Sequence, residues 1–136
     1  MRVLIADDSA VDRIMLRRVV EGLGHDVLLA STGKEAWELY QAHGADVLLS
    51  DWMMPGLNGP ELCRRIRSQP GAAYTYIILL TVLDDNEHTR HGTQAGADAV
   101  IDALQVAVDR ANTGLKAALD ELGPALSLAR FRSQKE

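Results

Sequence analysis

The sequence predicts a doubly wound α/β fold on a five-stranded parallel sheet, and three observations carry that expectation. Short apolar runs alternate along the chain with longer segments of helical spacing. The first, third and fourth runs lack the polar alternation of a sheet with one wet face, as strands covered on both sides should. These same runs each stop on a small polar or acidic residue: Val3–Ala6 on Asp7 and Asp8, Val47–Ser50 on Asp51, and Ile77–Leu80 on Thr81.

After the first strand, Val3–Ala6, the residues Val11, Ile14, Met15 and Val19 share one face of a helix. The second strand is Val27–Ala30. The turn residues Ser31-Thr32-Gly33 then open a helix marked by Ala36, Leu39 and Tyr40. The third strand, Val47–Ser50, runs into Asp51-Trp52-Met53-Met54-Pro55-Gly56, a carboxylate followed by a Pro-Gly turn. Asn58-Gly59-Pro60 starts a third helix carrying Leu62, Cys63 and Ile66, which stops near Pro70-Gly71. The fourth strand is Ile77–Leu80. A polar, weakly amphipathic segment from Asp84 to Ala95 reads as a short helix, and Ala99–Ile101 as a weak fifth strand.

Crossovers between parallel strands are right-handed, and a common solution for five strands is the flavodoxin-like order 2-1-3-4-5. Its switch point lies between strands one and three, and ligands bind beyond the carboxyl ends there. Asp7, Asp8 and Asp51 stand at those ends, and strand four beside strand three brings Thr81 to them. The tail differs. Leu104, Val108, Ala111, Leu115, Ala118 and Leu122 form a heptad-type stripe, broken at Gly123-Pro124. It predicts an extended C-terminal helix whose distal part pairs with another chain or domain.

The totals bound the rest. A length of 136 residues fits one domain and a modest tail, divided here as 1–111 and 112–136, the second a helical tail or linker. A net charge of −5 disfavours nucleic acid and anionic membrane as partners. Cys63 is the single cysteine, which excludes an internal disulfide and sets of cysteine metal ligands; its neighbours Leu62 and Ile66 give it a packing role. No apolar run approaches the roughly 20 residues of a membrane span. Met1 leads straight into a strand, and a cytoplasmic location is expected.

Three carboxylates brought together repel one another and raise each other's pKa. A hard divalent cation relieves that repulsion, and an all-oxygen cluster suits Mg²⁺. A carboxylate is also a nucleophile toward phosphorus, giving an aspartyl phosphate whose charge the metal offsets. Asp51, alone at the end of the central strand, is the natural nucleophile. Three acids that merely cap helices would not need Thr81 beside them.

Asp7-Asp8, Asp51 with its Met-Pro-Gly-x-x-Gly continuation, Thr81, and the turn Gln94-Ala95-Gly96-Ala97-Asp98 together resemble the receiver domain of two-component response regulators over residues 1 to about 111. The resemblance implies that Asp51 accepts a phosphoryl group from a histidine kinase or phosphotransfer protein. It implies that Asp8 and Asp51 bind Mg²⁺ directly, Asp7 through water, and Met53 through its backbone carbonyl, while Thr81 hydrogen-bonds the phosphoryl group. Such a chain is no enzyme beyond catalysing its own phosphorylation and dephosphorylation. The pattern departs from the family at the end of strand five, where a lysine and a proline are usual. Aligned without a gap, those positions hold Ala103 and Leu104, and the three lysines are Lys34, Lys116 and Lys135. Val100 replaces the aromatic switch residue. Aligned by the helix that follows, from Asp102 to Val106, about six residues carrying Lys-Pro are missing instead; a connection that tight, with Asp102 as the expected cap of the next helix, favours exchange of that helix between two chains and hence a homodimer.

Two other readings stay open. One is a non-switching pseudo-receiver, a scaffold that keeps the acidic pocket without the lysine. The other is a phosphatase similar to the haloacid dehalogenase group, against which stands the spacing: that group puts nucleophile and acid two apart on strand one, whereas the acids here are adjacent. His88 and His91 lack further ligands and read as solvated.

Overall fold

Alternate side chains of a strand point to opposite faces, and the central strands of this chain bury both sets. In the computed structural model, which describes residues 1–71, 73–81 and 86–102, Leu4, Ala6, Leu48, Ile77 and Leu79 fill one hydrophobic cluster, while Val3, Ile5, Val47, Leu49, Ile78 and Leu80 fill a second on the other face. The strands are β1 (Arg2–Ala6), β2 (Asp26–Ala30), β3 (Val47–Asp51), β4 (Tyr76–Thr81) and β5 (Ala99–Asp102). All pairings are parallel, and the order is β2-β1-β3-β4-β5, as expected for a doubly wound sheet.

Among the described residues the helices are α1 (Ala10–Gly22), α2 (Gly33–His43), α3 (Gly59–Arg67) and α4 (Asn86–Gln94). The first three start the same way. The side chains of Ser9, Thr32 and Asn58 accept hydrogen bonds from the amides of Asp12, Glu35 and Glu61, three residues on. Each cap satisfies an otherwise orphaned amide, and each puts a carboxylate in the positive first turn of the helix. Ala36 and Tyr40 of α2 and Leu62, Cys63 and Ile66 of α3 join the first cluster, and Leu16 and Val20 of α1 join the second. Cys63 is fully buried, with Sγ 3.2 Å from the Ala95 carbonyl.

The face of α1 differs from the sequence expectation. Met15 and Val19 do pack inward beside Leu16 and Val20, but Val11 is 76% exposed and Ile14 43%. The buried stripe is centred one residue further along the chain than the sequence pattern suggested, and it belongs to the middle and end of the helix. The first turn overhangs the carboxyl end of the sheet.

Arg67 at the end of α3 fixes the far edge. Its guanidinium donates to the carbonyls of Gly96 (2.9 Å) and Thr75 (2.7 Å), pairs with Asp98 at 2.8 Å, and stacks over Tyr74. Asp98 also accepts from Tyr74 Oη and from the Ile77 amide. The start of β4, the end of α3 and the turn before β5 are thereby held together. The C-terminal helix, its heptad stripe, the helix-capping role of Asp102 and the positions of Ala103 and Leu104 lie outside the described residues. No helix among the described residues is long and apolar enough to cross a membrane.

Candidate functional site

The carboxyl ends of β1 and β3 converge because these strands are direct neighbours, with Ala6 opposite Ser50. Past Ala6 the chain stays in line for one more residue: the Asp7 amide donates to the Ala30 carbonyl at 3.1 Å. Asp7 is then tied twice more. Its Oδ1 accepts from the Ser9 amide at 2.9 Å, and its carbonyl accepts from Arg13 Nη1 at 2.7 Å. Asp8 follows, exposed at the mouth. Asp51 ends β3 opposite Leu80, and the Trp52 amide donates to the Leu80 carbonyl at 2.9 Å.

Asp7, Asp8 and Asp51 each place a carboxylate oxygen within 4.8 Å of the others. The electrostatics follow from that proximity. Burial and, after it, the charges of Asp7 and Asp8 push Asp51 up to about 7, against a smaller downward pull from the Trp52 amide. Asp7 is also raised, first by burial, with Asp12 and Asp8 adding to it and the Ser9 amide and Arg13 opposing. Such a cluster is poorly satisfied alone. Its donors are all hard oxygens on one open rim, which fits a small hard cation such as Mg²⁺ that keeps part of its water.

Thr81 closes the fourth side. It is buried at the end of β4, one residue past the partner of Asp51, and lies opposite Asp102 of β5. Met53 stands two residues beyond Asp51 and is 71% exposed. The loop that carries it is shaped by glycines. Gly56 takes a φ of 75°, which a side chain would resist. A Cβ on Gly59 would lie 2.6 Å from the Asp51 carbonyl oxygen, and one on Gly33 would collide with the Leu57 carbonyl. The starts of α2 and α3 therefore press directly on the Asp51 loop.

Trp52 is partly buried against the first cluster. Its ring lies 5.8 Å from that of the exposed His91, and a Cβ on Gly92 would come within 3.1 Å of Trp52 Cζ3. Arg13, His91 and Gly92 carry no motif in the sequence that would place them here; only the crossover geometry does. A separate polar groove of about 750 Å³ opens at the opposite end of the sheet, between Arg2, Asp26, His43 and Asp46. Its arginine donates to the His43 carbonyl, and among the described residues it holds no cluster comparable to the three aspartates.

Comparison with known proteins agrees with this geometry. A family profile for the response regulator receiver domain matches residues 3–103. A chemotaxis protein CheY homolog of Campylobacter jejuni is 35% identical over 111 residues, covering 80% of this chain and 77% of that protein. A gliding motility regulatory protein of Myxococcus xanthus is 38% identical over 117 residues, but the match spans 15% of its length, so this chain corresponds to a small part of that relative. Among solved structures, the Francisella response regulator 1452 receiver domain superposes with a TM-score of 0.71 at 30% identity, covering 97% of this chain and 98% of that one. Vibrio cholerae chemotaxis protein CheY4 does so with a TM-score of 0.70 at 29% identity, over 82% and 98%.

Proposed function

The chain belongs to the response regulator receiver domain family, and on that premise we propose that Asp51 is its phosphoacceptor, taking a phosphoryl group from a histidine kinase or phosphotransfer protein. The observation that carries this reading is the convergence of Asp7, Asp8 and Asp51 within 4.8 Å at the ends of β1 and β3. A carboxylate oxygen of Asp51 attacks phosphorus in line. The P–N bond of the donor phosphohistidine breaks, and the imidazole leaves with the bonding electron pair. Mg²⁺ would be held by Asp8 and Asp51, by Asp7 through water, and by the carbonyl of Met53. When bound, the metal supplies positive charge to the phosphoryl oxygens. Thr81 donates its hydroxyl to one of those oxygens. The ties on Asp7 from Ser9 and Arg13 keep its carboxylate in place without rearrangement.

Residues 1–111 form the receiver in this reading and 112–136 a tail. The Leu104–Leu122 stripe would join two copies in this reading; light scattering should then find a dimer, and Leu115→Glu with Leu122→Glu should dissociate it, since two charges would be buried without partners. Charge and composition disfavour nucleic acid and membrane as partners. The chain turns over no substrate beyond its own phosphate.

Acetyl phosphate with Mg²⁺ should add one phosphoryl mass to the intact protein and none to Asp51→Asn. Labelling that survives in Asp51→Asn would move the acceptor elsewhere. A second reading, the pseudo-receiver scaffold, is favoured by Ala103 and Leu104 standing where lysine and proline are usual. It predicts that beryllofluoride binds without changing the amide spectrum of β4 and β5.

A further inference from the structure

We propose that the Trp52 side chain carries the state of Asp51 to α4, so that occupancy of the carboxylate site is felt on the exposed face of that helix at His91. The inference rests on the reading of Asp51 as acceptor and goes beyond it, because it names a route out of the site. Trp52 stands between the two residues that this reading puts in contact with the bound group, Asp51 before it and Met53 after it. Its own backbone is pinned. The Trp52 amide donates to the Leu80 carbonyl at 2.9 Å, and its carbonyl accepts from the Gly59 amide at 2.9 Å. A Cβ on Gly59 would lie 3.2 Å from Trp52 Cα. A change at either flanking residue therefore turns the side chain about a fixed point more readily than it slides the strand end.

The ring ends on α4. It is partly buried against the first cluster, and its centroid lies 5.8 Å from that of His91. At the next residue, a Cβ on Gly92 would come 2.7 Å from Val100 Cγ2, 3.1 Å from Trp52 Cζ3 and 3.4 Å from Leu79 Cδ1. Gly92 is thus the point where α4, Trp52, β4 and β5 meet, with no room for a methyl group. Close-packed interiors transmit a displacement instead of absorbing it, so a ring that turns here pushes α4 or leaves a void beneath it. Gly33 at the start of α2 and Gly59 at the start of α3 meet the same loop against backbone atoms, the Leu57 and Asp51 carbonyls. The α4 contact is made by a side chain, which has discrete rotamers to move between. His91 is exposed beside the buried Gly92, so the movement surfaces there. Coupling of this kind is reciprocal: a change of packing at Gly92 alters the affinity of the carboxylate site.

The test reads both directions. Beryllofluoride with Mg²⁺ serves as the phosphoryl probe, its binding is read by ¹⁹F resonance, and amide hydrogen exchange across Asn86–Gln94 reads α4. In the wild type, saturation with the probe should change α4 exchange by about fivefold or more. Trp52→Phe keeps an aromatic body in the core but lacks the ring that carries Cζ3. At saturation its α4 exchange should change by less than about twofold, while amides at the ends of β1 and β3 still respond. From the other side, Gly92→Ala adds a methyl group remote from every carboxylate and should alter the affinity for the probe by about fivefold. An α4 response of wild-type size in Trp52→Phe overturns the inference, as does wild-type affinity in a folded Gly92→Ala. Should Gly92→Ala not fold, the Trp52→Phe comparison alone decides. A wild-type protein that binds the probe with α4 exchange unchanged ends this inference and leaves the acceptor reading standing. One that takes Mg²⁺ but no beryllofluoride removes the acceptor reading itself.

Discussion

The rings of Trp52 and His91 lie 5.8 Å apart at an interplanar angle of 48°, so the residue next to Asp51 reaches across to α4. The contact is close because Gly92 presents no side chain there. Trp52 therefore reports on the carboxylates from one residue away. In a Trp37→Phe background, which leaves Trp52 as the single indole, Mg²⁺ should change the emission in a saturable way. Asp8→Ala should weaken that response by at least about tenfold, since removing even an outer partner of a metal ligand costs about 10- to 100-fold. An Asp8→Ala titration superimposable on the parent would place the metal elsewhere.

Asp51 gives the metal-free protein a pH-dependent stability of predictable sign. The unfolded chain ionises this carboxyl near 3.8, whereas burial beside Asp7 and Asp8 holds the folded one up to about 7. Between those values the native state keeps a proton that the unfolded state has lost, so stability falls as pH rises from about 4 to about 7 and then levels. Asp7 is shifted the same way and steepens the fall. Asp51→Asn removes the ionisation. In urea with chelator, wild type and Asp51→Asn should be equally stable near pH 4. Near pH 8 the variant should be more stable, by on the order of 2 kcal/mol once solvent screening of a partly exposed carboxylate is allowed for. A constant gap across the range would show that the substitution acts through packing and not through charge.

Gly33 and Leu57 tie α2 to the Asp51 loop. No Cβ fits between them, because the Leu57 carbonyl occupies that space and is backbone, not a flexible side chain. Gly33→Ala should therefore cost about 1–3 kcal/mol, the usual range for overpacking, despite alanine's better helix propensity. It should also weaken Mg²⁺ binding, since the displaced loop carries Met53. Gly22→Ala, at a position with open space around it, is the control and should be neutral or slightly stabilising. Equal stability of the two variants would mean that α2 and the loop adjust freely.

Much of this architecture was legible in the sequence because the strands are short, apolar and end abruptly. The runs at Val3, Val47 and Ile77 are strands, and the acids after them meet, because adjacent parallel strands bring their carboxyl ends together. The face of α1 was read one residue out: Val11 and Ile14 fit the period of a buried stripe, but period alone cannot reveal that the first turn projects past the sheet. The contacts that hold Asp7 were hidden for a related reason. Arg13 follows it by six residues, and only the turn at Ser9 brings the guanidinium back to the Asp7 carbonyl. Arg67 joins Thr75, Gly96 and Asp98 across as many as 31 positions, a separation at which no local pattern speaks.

Val11, Ile14 and Met53 are the large apolar side chains left exposed among the described residues, and each follows one of the carboxylates closely in the chain. Val11 and Ile14 lie on the first turns of α1, which begins two residues after Asp8, and Met53 lies two residues after Asp51. Exposed apolar groups gathered at one place commonly mark a protein contact. If a protein phosphodonor reaches Asp51, it covers these side chains, whereas acetyl phosphate passes between them. Val11→Asp combined with Ile14→Asp should therefore reduce phosphoryl transfer from a phosphorylated histidine kinase by about tenfold or more, a loss of about 1.4 kcal/mol or greater in transition-state binding. Labelling by acetyl phosphate should stay within about twofold of wild type, because both side chains already face water and the core does not use them. The pair of rates, measured on the same preparation, decides the matter. Equal loss with both donors would show that the substitutions disturb the aspartates themselves, and equal retention would show that the donor docks on another face.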